Sequence, residues 1–284
     1  MITGLKKTTC VGACTFLFVS CANSSSPSQL VLVPPADSAN VELTQGVIPT
    51  KDACPTNMVL VSGNFCPNVL QECLWWVDTN GSKIDPPKPG ESGRCGKFKQ
   101  PSKCLSSFYF QMKYCIDKYE YPNVEGTVPK SWLSWHDMKR SCELQGKRLC
   151  TRSEWTLACE GPEMRPYPYG DGYTRDKTAC NFDNSQVGID VFRAKSPGDE
   201  TTSKLDGLLV PSGHLKTCVS PYGVHDQVGN IDESVVNETG RPYKSGLMGG
   251  HVFGVRNACR PMTGAHNEEF AWYETGGRCC SDTQ

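Results

Sequence analysis

The chain has 284 residues, 38% of them hydrophobic, and its Lys plus Arg (29) nearly balance its Asp plus Glu (30). That balance leaves no net field to gather nucleic acid or an anionic surface, so nucleic-acid partners are not expected. The 27 Gly and 20 Pro favour a loop-rich fold over a helical bundle, and 17 Cys point to an oxidising compartment.

At the start, Lys6 and Lys7 precede a largely uncharged stretch from Thr8 to Ser20, too short to span a bilayer but suited to the core of an export signal. The stretch ends Phe18-Val19-Ser20-Cys21, which is similar to a bacterial lipobox with Phe18 where leucine is usual. Cleavage there would leave Cys21 as a lipidated first residue; ordinary signal cleavage near Ser20 or Ala22 is the alternative. Ala22, rather than Asp, resembles lipoproteins sorted onward to an outer membrane. Residues 1–21 are therefore read as a signal peptide. Residues 22–53, rich in Ser, Pro, Ala and Asn without periodicity, read as a disordered tether, and 54–284 as one folded domain. The expected location is the cell envelope, as an outer-membrane lipoprotein or in the periplasm.

With Cys10 and Cys14 in the signal and Cys21 lipidated, fourteen cysteines remain between Cys54 and Cys280, an even set that can close as seven bridges. None forms a C-x-x-C pair, which argues against a zinc ribbon or a thioredoxin-like site.

Met58-Val59-Leu60-Val61 reads as a first strand closed by a turn at Ser62-Gly63-Asn64. Residues 74–105, with Asp78-Thr79-Asn80-Gly81 and Pro86-Pro87-Lys88-Pro89-Gly90, read as a looped insertion pinned by Cys73, Cys95 and Cys104. Phe108 to Tyr121 alternates like the edge of a strand pair. Two helices follow. Ser134 with Asp137, and Thr151 with Glu154, are capping boxes; Trp135, Met138 and Cys142 share one helical face, Trp155, Ala158 and Cys159 the other, and Gly146 and Gly161 end the helices. Past Tyr167 the sequence predicts short strands held by loops.

The stretch SWHDMKRSCELQGKRLCTRSEWTLACEG (134–161) resembles the helix pair of the formylglycine-generating, sulfatase-modifying family. Collinear matches follow at YPYGD (167–171), YGVHDQVGNIDE (222–233), Met248-Gly249-Gly250, Arg256-Asn257-Ala258-Cys259-Arg260 and Gly276-Gly277-Arg278-Cys279. The resemblance covers about residues 57–281. It implies an α+β fold related to C-type lectins, stapled by bridges from Cys142 to Cys279 and from Cys159 to Cys259. Each would close a loop of about 100 residues or more, for about 4–5 kcal/mol on a chain-entropy view.

Enzymes of that family oxidise a sulfatase cysteine to formylglycine with two cysteines that hold copper(I). Here the first of those positions is Gly254. The second is nominally Cys259, whose Arg-x-x-Cys-Arg setting looks like that of the structural bridge, so copper is not expected. The resemblance also implies two calcium sites, one at Asp226, Gly229, Ile231 and Glu233, the other at Asn181, Phe182, Asp206 and Leu208, with Gly229 and Ile231 acting through carbonyl oxygens. The alternative is that Asp226 and Glu233 cap turns. Ser234 stands where the family has Trp, a loss of about 3–5 kcal/mol unless the space is repacked.

His136, His214, His225, His251 and His266 are scattered without metal-ligand spacing, although His251 and His266 flank the family's cleft. No nucleophile elbow supports a hydrolase. Two functions compete: a catalytically retired module binding a peptide, glycan or protein of the envelope, and an oxidase or other metal enzyme with relocated ligands.

Overall fold

The computed structural model describes residues 54–283 apart from 89, 90, 92, 187 and 255. The signal peptide, Cys21 and the tether through residue 53 lie outside the described residues. The first sheet places the strand Phe110–Asp117 between Met58–Phe65 and Cys279–Ser281, which pairs in turn with Arg148–Leu149. Phe110–Asp117 is thus interior, not an edge. The turn expected at Ser62-Gly63-Asn64 is absent, because pairing continues unbroken from Met58 opposite Asp117 to Phe65 opposite Phe110. Gly63 serves a close approach instead: a Cβ there would lie 2.5 Å from the Tyr222 hydroxyl, which donates to the Ser62 carbonyl.

Residues 74–105 are also more ordered than their turn residues suggested. Cys73–Val77 pairs antiparallel with Lys83–Ile84 on one side and Arg94–Phe98 on the other, while Val69–Leu70 pairs with Lys103–Cys104. The Asp78-to-Gly81 signal is real but marks a hairpin tip, where Asp78 Oδ1 accepts from the amides of Asn80 and Ser82. Bridges Cys73–Cys95 and Cys66–Cys104 fasten the two small sheets.

Both expected helices form. Helix α1 (Trp135–Glu143) and helix α2 (Arg152–Glu160) each start with a complete capping box, on Ser134 with Asp137 and on Thr151 with Glu154. Trp135, Met138 and Cys142 are buried on α1, and Gly161 closes α2 at φ 66°. Helix α3 (Glu200–Asp206), capped by Asp199, was not expected from the sequence. The main core gathers Val61, Tyr114, Ile116, Trp155, Val228 and Met248 between α2 and both larger sheets.

The second sheet orders Met262–Thr263, Ser245–Met248, Asp232–Val236 and Thr275–Gly276, the last pair parallel. Ser234 on its third strand leaves no hole where the family carries Trp. Trp135, Leu247, His266 and Phe270 close around it, with room for about 10 Å³. All fourteen described cysteines form seven disulfides, among them Cys142–Cys279, Cys150–Cys280 and Cys159–Cys259. No helix among the described residues is long and apolar enough to cross a membrane.

Candidate functional site

Copper chemistry of the kind the resemblance implies needs two thiolates in one pocket. Gly254 has no side chain, and Cys259 is closed to Cys159. Even a Cβ at Gly254 would sit 3.2 Å from Asn257 Oδ1 and 3.3 Å from the His251 amide, leaving little room for a thiol. The donors present do not fit a copper(I) ion.

Below this point the loop Asp226-to-Glu233 turns sharply, with Asp226, Gly229 and Asn230 at φ 59°, 82° and 57°. Gly229 is required there, since a Cβ would meet the Asn181 carbonyl oxygen at 2.4 Å. Glu233 is fully buried and its two oxygens are both held by Arg278, at 2.6 Å from Nε and 2.6 Å from Nη2, while Trp155 Nε1 donates to Oε2 at 2.7 Å. Asp226 Oδ2 accepts from the Gly213 amide at 2.6 Å. Glu120, which the sequence did not single out, is fully buried nearby and accepts from Asn230 Nδ2 and the Ser212 hydroxyl. Burial, reinforced by the charges of Asp226 and Glu233, pushes the Glu120 carboxyl well above the usual range. Burial likewise pushes Asp226 up to about 6, against the pull of Arg278. Of these three carboxylates Arg278 is bonded to Glu233 alone, and burial favours the neutral forms of the neighbouring Glu120 and Asp226.

Residues of the second candidate set adjoin the first. Asn181 Nδ2 donates to Leu208 O and to Asn230 Oδ1, and its Oδ1 accepts from Asn184. These donors are spent on one another. Phe182 is a core residue, and Asp206 ends α3 with its carboxylate facing the Ser131 hydroxyl.

A different group converges at the head of the second sheet. His251 Nε2 lies 2.8 Å from Glu274 Oε2, and one ligand atom each from Asp232, His251 and Glu274 lies within 4.8 Å of the others. Burial opposes charge on His251, but the Glu274 carboxylate outweighs it and raises the ring's pKa. Asp232 Oδ2 pairs with Arg256 Nη2 at 3.2 Å.

Residues 76–282 match the sulfatase-modifying factor enzyme 1-like domain family. The chain belongs to that family. It is 28% identical over 119 residues to the bovine (Bos taurus) protein named inactive C-alpha-formylglycine-generating enzyme 2, covering 41% of this chain and 33% of that one. It is 25% identical over 173 residues to the formylglycine-generating enzyme of Thermomonospora curvata, covering 58% and 42%. The aligned stretches thus span less than half of these relatives. Among solved structures, PvdO from Pseudomonas aeruginosa is similar at 13% identity and a TM-score of 0.45, covering 79% of this chain and 94% of that one.

Beside Gly254, this sulfatase-modifying-factor-like domain opens a groove of about 590 Å³ between the 74–105 region and the loop before α3, lined by Thr79, Asn80, Arg94, Lys177, Asn184 and Phe253. Of the sites read from sequence, Gly254 follows Phe253 of the groove's lining and Cys259 is buried in the main core. His251 packs edge-on against Phe253, and His266 stacks on Phe270. Glu120, Asp232 and Glu274 carried no signal, being single carboxylates far from their partners along the chain.

Proposed function

We propose that this chain is a non-catalytic member of the family, exported and anchored at Cys21, that binds a peptide, glycan or protein of the cell envelope through the groove beside Gly254. The observation that carries this reading is the loss of both copper thiolates, one replaced by Gly254 and the other closed into Cys159–Cys259. The bovine relative named inactive supports it as a precedent within the family. The purified domain is expected to leave a C-x-P-x-R peptide unconverted with copper, oxygen and reductant supplied. Formylglycine detected by mass spectrometry, and abolished by Cys259→Ser, would overturn the reading. Anchoring has its own readout: the native protein's intact mass should show a diacylated start at Cys21, and an unmodified start elsewhere would remove the anchor.

Calcium belongs to the same proposal. Asp226 and Glu233, the carbonyls of Gly229 and Ile231, and the added carboxylate of Glu120 would hold the ion, which supplies charge balance to this buried cluster. Without it, the raised pKa of Asp226 means that this group's contribution to stability is full below about pH 4 and is lost as pH rises through about 6, Glu120 extending the loss upward. Calcium is therefore expected to raise the melting temperature most at neutral pH and little at pH 4. At a hundredfold excess over Kd the gain is about 2.7 kcal/mol. Melting curves identical with calcium and with chelator at pH 7.5 would remove the site.

A further inference from the structure

We propose that Asp232, His251 and Glu274 form a binding site for a divalent transition metal such as Zn²⁺, separate from the calcium cluster and beyond the binding role proposed above. One imidazole and two carboxylates, with ligand atoms within 4.8 Å of one another, make a three-ligand set of the kind that leaves a fourth position open. An imidazole among the donors selects a transition ion over Ca²⁺ or Mg²⁺.

The set is built on rigid elements. Asp232 opens the central strand of the second sheet, Glu274 precedes the strand that pairs parallel with it, and the Asp232 amide donates to the Glu274 carbonyl at 2.8 Å. His251 follows the Gly249-Gly250 turn at the end of the neighbouring strand, where a Cβ on Gly249 would strike the Gln227 carbonyl at 2.4 Å. The Gly250 amide fixes Asp232 Oδ1 at 2.9 Å, the kind of outer hydrogen bond that orients a ligating carboxylate. Both carboxylates are buried, Asp232 at 0% and Glu274 at 9% exposure, and His251 is half-buried.

A second observation points to a ligand. Arg256, already bonded to Asp232 through Nη2, has its Nη1 buried with no acceptor among the described residues. A buried guanidinium donor without a partner calls for an anionic oxygen, and such an oxygen on the metal's fourth position would supply it. From the imidazolium the ion displaces the Nε2 proton to solvent and Nδ1 keeps its own. From the neutral ring the single proton moves from Nε2 to Nδ1 with no net release, and in either case the 3.5 Å contact from the Phe253 amide to Nδ1 gives way.

The test is titration of the oxidised domain with Zn²⁺, with Co²⁺ as the spectroscopic probe. One equivalent is expected to bind, Co²⁺ giving the visible bands of a low-coordinate site, and added acetate is expected to shift those bands in the native domain but not in Arg256→Gln. His251→Ala and Glu274→Gln should each weaken Zn²⁺ by more than about 100-fold, beyond what loss of an outer partner gives, while the calcium response is kept. Should these variants misfold, X-ray absorption of the zinc-loaded native domain decides it: one imidazole with oxygen ligands supports the site. No stoichiometric binding, a zinc shell without imidazole, or unchanged affinity in both folded variants overturns it.

Discussion

Replacing Arg278 with methionine is expected to lower the unfolding free energy by about 3–5 kcal/mol, the range found when one partner of a buried ion pair is removed. Arg278 is fully buried and holds both oxygens of Glu233, and it also donates to the carbonyls of Asp117 and His225 at 3.1 and 2.7 Å. Methionine fills much of the volume but supplies no donor. Among the described residues, Glu233 then keeps the Trp155 indole N–H alone, beside the carboxylates of Glu120 and Asp226. Adding Glu233→Leu to Arg278→Met should recover part of the loss, because a buried pair replaced on both sides by apolar groups is often tolerated. Urea unfolding in chelator, with disulfides intact, measures both. A single-variant loss under about 1 kcal/mol, or a double variant no better than the single, would show that the pair does not hold this end of the core.

Removing the Cys142–Cys279 bridge by paired serines is expected to destabilise by about 3 kcal/mol, less than its 137-residue separation suggests. The reason is nesting. Cys280 is already tied to Cys150, so the unfolded chain between Cys142 and Cys279 is confined to an effective loop of about ten residues while that neighbouring bridge stands. Taking out Cys150–Cys280 as well should cost a further 4 kcal/mol or about that, since only Cys159–Cys259 then limits the chain. The value of about 4–5 kcal/mol expected from sequence for Cys142–Cys279 treats that link as independent, and the adjacency of Cys279 to Cys280, tied to Cys150, removes that independence. Thermal unfolding of the single and double bridge variants checks this. A loss of about 5 kcal/mol from the first variant alone would mean the bridges act separately.

What the sequence made legible was what is encoded locally. The capping boxes of Ser134 and Thr151 lie within four consecutive residues, and each produced its helix. Gly254 was legible because motifs on either side fix its place. Asp78 to Gly81 was read correctly as a turn but wrongly as evidence against strands, since it joins two, whereas Ser62-Gly63-Asn64 was read as a turn and is none, Gly63 admitting Tyr222 to an unbroken strand. Helix α3 was missed because its short run, Glu-Thr-Thr-Ser-Lys-Leu-Asp, has weak helix formers and depends on the Asp199 cap and on burial of Leu205. The carboxylate groups were illegible for a different reason. Glu120 and Asp226 stand on two loops 106 positions apart that are joined by the His225 amide donating to the Lys118 carbonyl, and Asp232 meets Glu274 only through a parallel strand pair whose members are 42 positions apart in the sequence.

The disulfide pattern also imposes an order on assembly. Cys66–Cys104, Cys73–Cys95 and Cys180–Cys218 join cysteines 22 to 38 residues apart and can close while synthesis is still under way. Cys142, Cys150 and Cys159 must wait 100 to 137 residues for their partners. During that interval three thiols, on α1, just before the cap of α2 and near the end of α2, stand within eighteen positions of one another, free to form wrong pairs. A thiol–disulfide isomerase, not merely an oxidant, is what such a chain requires of the compartment in which it matures.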